Sequence, residues 1–290
     1  MSNIISTLIN GLSMGAVYAM IALGYTMVYG IAKMLNFAHG DIIMVGAYSI
    51  FAVLLMGDSA FGIVLAVLVP ILLCTVLGIV VERTAYRPLR GASPLAVLIT
   101  AIGVSYLLQG VSQLIFGVTP RPVDFKIPGN IGTLNVYTIV TLAVATVLMI
   151  ALTVFVKYTK TGRAMVAVSE DRGAAQLMGI NVNKIIAITF AIGSALAACA
   201  SIFYLMQIPS VSPTFGSMPG IKAFTAAVIG GIGSIPGAML GGVLLGLVEK
   251  ISLSIPALAP YTTAIEFSLL IVILLVKPSG LLGKKRNEKV

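Results

Sequence analysis

Charge is the scarcest property of this chain. Only 9% of its residues are Asp, Glu, Lys or Arg, against roughly 25% in a soluble domain. With 59% hydrophobic residues over 290 positions and a mean hydropathy of +1.09, too few charges exist to cover a soluble fold of this size. Lipid must be the solvent for most of it. Histidine is also scarce: His39 stands alone, which excludes a His-rich metal centre. The two cysteines, Cys74 and Cys199, lie in separate apolar runs without a CxxC, so neither a disulfide nor a metal site is inferred. No phosphate loop occurs. The nearest approach, SGLLGKK at 279–285, lacks the spacing and the Ser/Thr. HExxH and GxSxG are absent too, so no residue is assigned a catalytic role and no cofactor is assigned to this chain. Nor is there a ladder of acidic residues for a proton or sodium relay, which argues against a self-energised pump or secondary transporter.

What the chain has is apolar length. About twenty such residues cross a bilayer as a helix. On that basis spans are expected near 11–31, 41–57, 61–81, 95–116, 136–156, 185–206 and 261–276, with a further apolar stretch at 221–250. The first apolar run has no preceding Lys or Arg and no clear cleavage site, so it reads as a retained span. The expected fold is an all-α integral membrane protein: a polytopic helical bundle of about eight spans, one of them broken or re-entrant.

The eighteen basic residues sort unevenly. Lys33, Arg83, Arg87, Arg90, Lys157, Lys160, Arg163, Arg172, Lys184, Lys277, Lys284, Lys285, Arg286 and Lys289 fall to one side. Arg121, Lys126, Lys222 and Lys250 are left for the other. The positive-inside rule makes the richer side cytoplasmic, with the C-terminal tail there. The net charge of +9 then needs no nucleic-acid partner.

That orientation bears on 221–250. A single crossing would strand the basic tail outside, whereas two half-helices would return it. GGIGSIPGA (230–238) favours the second arrangement, because Gly231 and Gly233 loosen a helix and Pro236 removes a donor. Irregular backbone at membrane depth survives only inside protein or along a watery cavity. MLNFAHGD (34–41) is a second interruption, carrying Asn36, Phe37, His39 and Asp41. Interrupted segments in both halves of a chain point to a central pathway. An ordinary turn, with Asp41 capping the next helix, explains the same residues.

One long polar segment remains, TGRAMVAVSEDRGAAQLMGINVNK at 161–184. It reads as two short helices, the first capped by Thr161 and the second by Asp171, with Gly179 at the left-handed stop. Met165, Val168, Leu177 and Met178 are expected to face the membrane body, and Arg163, Glu170, Asp171 and Arg172 to face outward. Such a face suits a cytoplasmic docking surface. A solvated loop with no partner fits the pattern as well. Two acidic positions also stand out. Glu266 falls in the last span, where it is functional, paired with a neighbouring helix or subunit, or neutral. Glu249 and Lys250 read as an interface pair.

Three segments together resemble a known family. GLSMGAVYAMIALGYTMVYGIAKMLNFAHGDIIMVGAY (11–48), TGRAMVAVSEDRGAAQLMGINV (161–182) and GGIGSIPGAMLGG (230–242) are similar to the permease subunit of bacterial branched-chain amino acid ABC importers, in the shorter of its two permease types. The resemblance spans nearly the whole chain. One departure is visible: family members often carry a second Arg where this chain has Val166. The resemblance implies a single permease domain in the bacterial inner membrane that pairs with a second, related permease. It implies two cytoplasmic ATPases, which use ATP and Mg, and a periplasmic binding protein. The loop at 157–184 is then the ATPase-coupling element, carried by Gly162, Arg163, Glu170, Asp171, Ala174 and Gly179. Asn36, Phe37, His39 and Asp41, with Gly231, Gly233, Ser234 and Pro236, are placed by the translocation path. Permeases for urea, short amides or a sugar, and a stand-alone small-solute channel, are the alternatives.

Overall fold

The computed structural model describes residues 2–57, 60–126, 129–131 and 134–283. Of the basic tail, Lys284, Lys285, Arg286 and Lys289 lie outside the described residues. Eleven α-helices are present among the described residues: α1 (Ser2–Ala32), α2 (His39–Leu54), α3 (Ala60–Val81), α4 (Pro94–Phe116), α5 (Val136–Tyr158), α6 (Lys160–Glu170), α7 (Arg172–Leu177), α8 (Val182–Gln207), α9 (Ser217–Gly230), α10 (Ile235–Ser254) and α11 (Thr262–Val276). Seven of the helical segments are long and apolar enough to cross a membrane. Two short antiparallel ladders lie in the connections. One pairs β1 (Arg121–Pro122) with β4 (Ser210–Val211), and the other pairs β2 (Asn130–Ile131) with β3 (Leu134–Asn135).

The bundle is wrapped around α1, whose middle residues from Ala16 to Leu23 are all buried. Its closest neighbour is α10, running antiparallel. A Cβ on Gly15 would come within 2.7 Å of the Val243 Cα, and one on Gly242 or Gly246 would strike the α1 backbone. Glycines at this spacing let two helices approach without lipid between them, where packing rather than hydrophobicity drives association.

Two apolar helices inside the bundle, α2 and α9, are too short to span, whereas α11 together with the 3₁₀ turn Ala259–Tyr261 before it makes an 18-residue segment. At 1.5 Å per residue, α2 and α9 reach only about 24 and 21 Å, against a hydrocarbon core of about 30 Å. Each begins deep inside the bundle because the chain doubles back before it. After α1, Lys33 takes the left-handed backbone conformation at φ 55°. Residues 33–38 then climb back until the His39 ring lies 4.6 Å from Tyr25, two turns up α1. After α8, Phe215 packs on Tyr204 with ring centroids 4.9 Å apart, and Gly216 meets Gly40. The two helices therefore start face to face and run in opposite directions. The far part of α2 reaches Phe116, on which Tyr48 stacks at 4.4 Å. The end of α9 reaches the tail after α11 and the end of α1.

This arrangement corrects one expectation. The interruption at 230–238 exists, but α10 beyond it is a membrane-length helix of 20 residues rather than a half-helix. Gly231 and Gly233 have φ of 102° and 95° and make a turn at the end of the bundle. Pro236 sits in the first turn of α10, where a missing donor costs nothing, and Ser234 caps that turn by accepting from the Gly237 amide at 3.2 Å. The turn is sealed by the tail: the Leu281 and Leu282 amides donate to the Ile229 and Gly230 carbonyls at 2.8 and 2.9 Å. The end of α9 thus finds protein donors instead of water. The half-length partner of α9 is α2, which was expected as an ordinary span.

The contact of α2 with α9 yields a prediction. A side chain at Gly216 would overlap the Gly40 carbonyl, whereas Gly103 on α4 has open space beside it. Gly216→Val should abolish the monodisperse, heat-resistant species seen by size exclusion in detergent. Gly103→Ala should leave its melting temperature unchanged or raised, consistent with the ~0.5–1 kcal/mol advantage of Ala in a helix. Equal behaviour of the two variants would refute the close approach.

Candidate functional site

Three polar features interrupt the apolar bundle. The first is the elbow formed by α6 and α7. Thr159, not Thr161, caps α6: its hydroxyl accepts from the Gly162 amide at 2.9 Å and donates to the Phe155 carbonyl at 2.7 Å. A Cβ on Gly162 would collide with the Phe155 carbonyl and Val156, so this glycine lets α6 fold back tightly on α5. Asp171 caps α7 by accepting from the Ala174 amide at 3.0 Å. Gly179 stops it at φ 81°, with the Ile180 amide returning to the Ala175 carbonyl at 3.0 Å. Met165, Val168 and Ala175 face inward, and Arg163, Glu170, Asp171 and Ala174 are exposed.

Two further expectations for the elbow fail. Leu177 and Met178 are 90% and 82% exposed instead of packed on the membrane body. Arg172, expected outward, turns in, and its guanidinium donates to the Ala32 carbonyl at the end of α1. Burial, and then the nearby Arg90 charge, pull the Arg172 guanidinium below its usual range. Arg90 is itself held by Glu82 and Asn183, which ties the π-helical turn Glu82–Tyr86 after α3 to the start of α8. A cavity of about 860 Å³ opens between the elbow, residues 33–35 and the start of α4.

The second feature is a groove of about 270 Å³ where α2 and α9 meet, walled on one side by α4. Phe37 and Asp41 line it, as do Tyr25, Ser105, Tyr106, Gln109, Ser217 and Gly220. Asp41 accepts from the Gln109 amide at 2.8 Å instead of capping α2. Asn36 and His39 lie behind the groove. Asn36 accepts from the Tyr86 hydroxyl at 2.8 Å, and His39 is buried against Tyr25 and Gly24. Gly231, Gly233, Ser234 and Pro236 are not brought to it and sit at the end of the bundle with the tail. Ser105 and Gln109 were not singled out, although their spacing of four in an otherwise apolar span marks one polar helix face.

The third feature is a buried ionic cluster. Lys222 on α9 reaches Glu249 on α10 at 3.0 Å and Glu266 on α11 at 3.1 Å. The Tyr18 hydroxyl on α1 donates to Glu249 at 2.6 Å. Four helices are thus joined by one knot. Glu266 is 0% exposed and pairs with a neighbouring helix, as one of the readings of it required. Glu249 pairs with Lys222 rather than with Lys250, and Lys222, counted above with the non-cytoplasmic charges, belongs to this buried cluster.

Among the described residues, seven membrane-length helical segments and two half-length helices meeting inside them at a polar groove have the make-up of a multi-pass membrane protein. Residues 7–275 match the family described as branched-chain amino acid transport system / permease component, and the chain belongs to that family. It is 45% identical to the high-affinity branched-chain amino acid transport system permease protein BraD of Pseudomonas aeruginosa, over 98% of this chain and 97% of that protein. Its identity to the corresponding permease protein LivH of Escherichia coli K12 is 43%, over 97% of this chain and 96% of that one. A probable branched-chain amino acid transport permease protein LivH of Methanocaldococcus jannaschii is 31% identical over 91% of this chain and 88% of its own length.

The ionic cluster is testable by itself. Lys222→Met leaves two carboxylates facing each other without their cation, which should destabilise the protein by about 3–5 kcal/mol. Adding Glu249→Gln and Glu266→Gln to Lys222→Met should recover most of that loss. Thermal unfolding in lipid nanodiscs compares the three proteins, and a triple variant no better than Lys222→Met would argue against the ionic account.

Proposed function

We propose that this chain is the permease subunit of an ATP-driven importer that carries branched-chain amino acids across the bacterial inner membrane. The observation that carries the proposal is near-full-length similarity to permeases named for that transport. The elbow and the C-terminal tail face the cytoplasm, and the start of α1 faces the periplasm, in keeping with the crowding of Lys and Arg at the elbow end. A second, related permease completes the channel. Two ATPase subunits bind beneath and hydrolyse ATP with Mg, and a periplasmic protein delivers the amino acid.

In this reading the elbow is the coupling element. Leu177 and Met178 project from it as apolar knobs, and Arg163, Glu170 and Asp171 are exposed on the same elbow, which suits insertion into a cleft on the ATPase. Gly162, Asp171, Ala174 and Gly179 shape the elbow, and the Arg172 bond to Ala32 links it to the central helix. Closure of the ATPases on ATP pulls the elbow, the elbow shifts α1, and the permease pair moves between inward-open and outward-open states. Nucleotide drives this only in so far as it prefers one state over the other.

Replacing both Leu177 and Met178 with Asp should leave membrane insertion intact, abolish co-purification of the ATPases and cut uptake of labelled leucine to about a tenth or less of wild type, as loss of a central anchor does. Retained ATPase binding with normal uptake would remove the elbow from this role. Reconstituted alone in liposomes, the chain should pass no leucine. Flux without ATPases would favour a stand-alone channel instead.

A further inference from the structure

The groove between α2, α4 and α9 contains a carboxylate without a cation. Asp41 is 2% exposed, and its partners are dipoles: the Gln109 amide at 2.8 Å, the Ser105 side chain and its own backbone amide. No ion pair reaches it among the described residues. Lys222, one turn along α9, is turned away into its cluster with Glu249 and Glu266. A carboxylate at membrane depth is costly, and such groups pair with a counter-charge or mark a pathway. Amide and hydroxyl donors offset part of that cost, and a cation would offset the rest. Phe37, Ile102, Tyr106 and Ile221 supply the apolar and aromatic part of the lining, beside Tyr25 and Ser217. Ile102, Tyr106 and Ile221 are exposed where the groove opens between α4 and α9.

We infer that Asp41, oriented by Gln109, receives the ammonium group of an amino acid in transit, while Phe37, Ile102 and Ile221 hold its branched aliphatic side chain. This rests on the import function proposed above. It assigns the permease a selection step of its own: a charged amine and an apolar side chain must be present together, a requirement that short amides and sugars fail. No covalent step is involved, and the ammonium leaves as it came, once the groove changes shape.

Two measurements test the inference. In the first, the Ile102→Cys chain in nanodiscs is treated with positively and negatively charged thiosulfonate reagents of equal size, with the parent chain as background. The cationic reagent should react roughly tenfold faster, as expected beside a partly desolvated anion. Asp41→Asn should bring the ratio close to one. Leucine methyl ester, which keeps the ammonium, should slow labelling, whereas N-acetylleucine should not; this comparison needs no change at Asp41. Equal rates for both reagents, or equal protection by both leucine derivatives, would overturn the assignment. In the second, the complete importer carrying Asp41→Asn should lose at least roughly tenfold in leucine uptake while the loaded binding protein still stimulates ATP hydrolysis, and Asp41→Glu should restore part of the uptake. Unchanged uptake in Asp41→Asn would overturn the inference. Absence of leucine uptake by the wild-type importer would instead sink the import function, and the labelling ratio would still decide whether the groove selects a cation.

Discussion

In hydrocarbon a backbone amide or carbonyl without a partner has no water to fall back on, and that single constraint organises this molecule. The chain doubles back inside the bundle twice, before α2 and before α9, and each return exposes irregular backbone at membrane depth. Glycine makes both returns tolerable. Gly40, Gly216 and Gly220 bring the starts of the two half-length helices into direct contact, so the irregular segments are enclosed by protein. The polar groove at their junction follows from the same geometry, because helix starts that meet inside a bundle leave polar groups there that must be either paired or used.

Pairing is the solution at the other polar centres. Lys222, Glu249, Glu266 and Tyr18 bind α1, α9, α10 and α11 together by long-range contacts that lipid cannot compete for. Removing one member is costly because the others cannot be rehydrated, so the cluster fixes which helices adjoin more than it adds stability. The elbow is joined to the same scaffold through Arg172 and the last turn of α1. The central helix therefore touches the ionic cluster at Tyr18, the groove at Tyr25 and the elbow at Ala32. A small displacement at its end has a rigid route to the groove, and packed interfaces of this kind switch between discrete arrangements rather than deforming smoothly.

Features governed by near neighbours were legible in the sequence. The membrane-length helices, the Asp171 cap and the Gly179 stop all follow from local spacing. What long-range contact decides was not legible. Lys222 was counted only as a charge of the non-cytoplasmic side, since its partners lie 27 and 44 residues onward. Leu177 and Met178 read as buried because apolar residues usually are, and only the three-dimensional path of α7 leaves them in the open. The Gly231–Pro236 turn read as a mid-membrane break because sequence shows that a helix is interrupted without showing at what depth. In the candidate site, Phe37 and Asp41 were singled out, whereas Ser105 and Gln109 belong to a helix that otherwise looks lipid-facing.

The tail that seals α9 has a consequence for biogenesis. The carbonyls of Ile229 and Gly230 receive their donors from Leu281 and Leu282, about fifty residues later in the chain. While the ribosome is still making α10 and α11, the end of the re-entrant helix lacks these protein donors. It closes only after α11 has been threaded and Leu281 and Leu282 have folded back onto α9. Leu281 and Leu282 thus fasten a part that emerged well before α11, which makes the segment following α11 a latch on the end of α9.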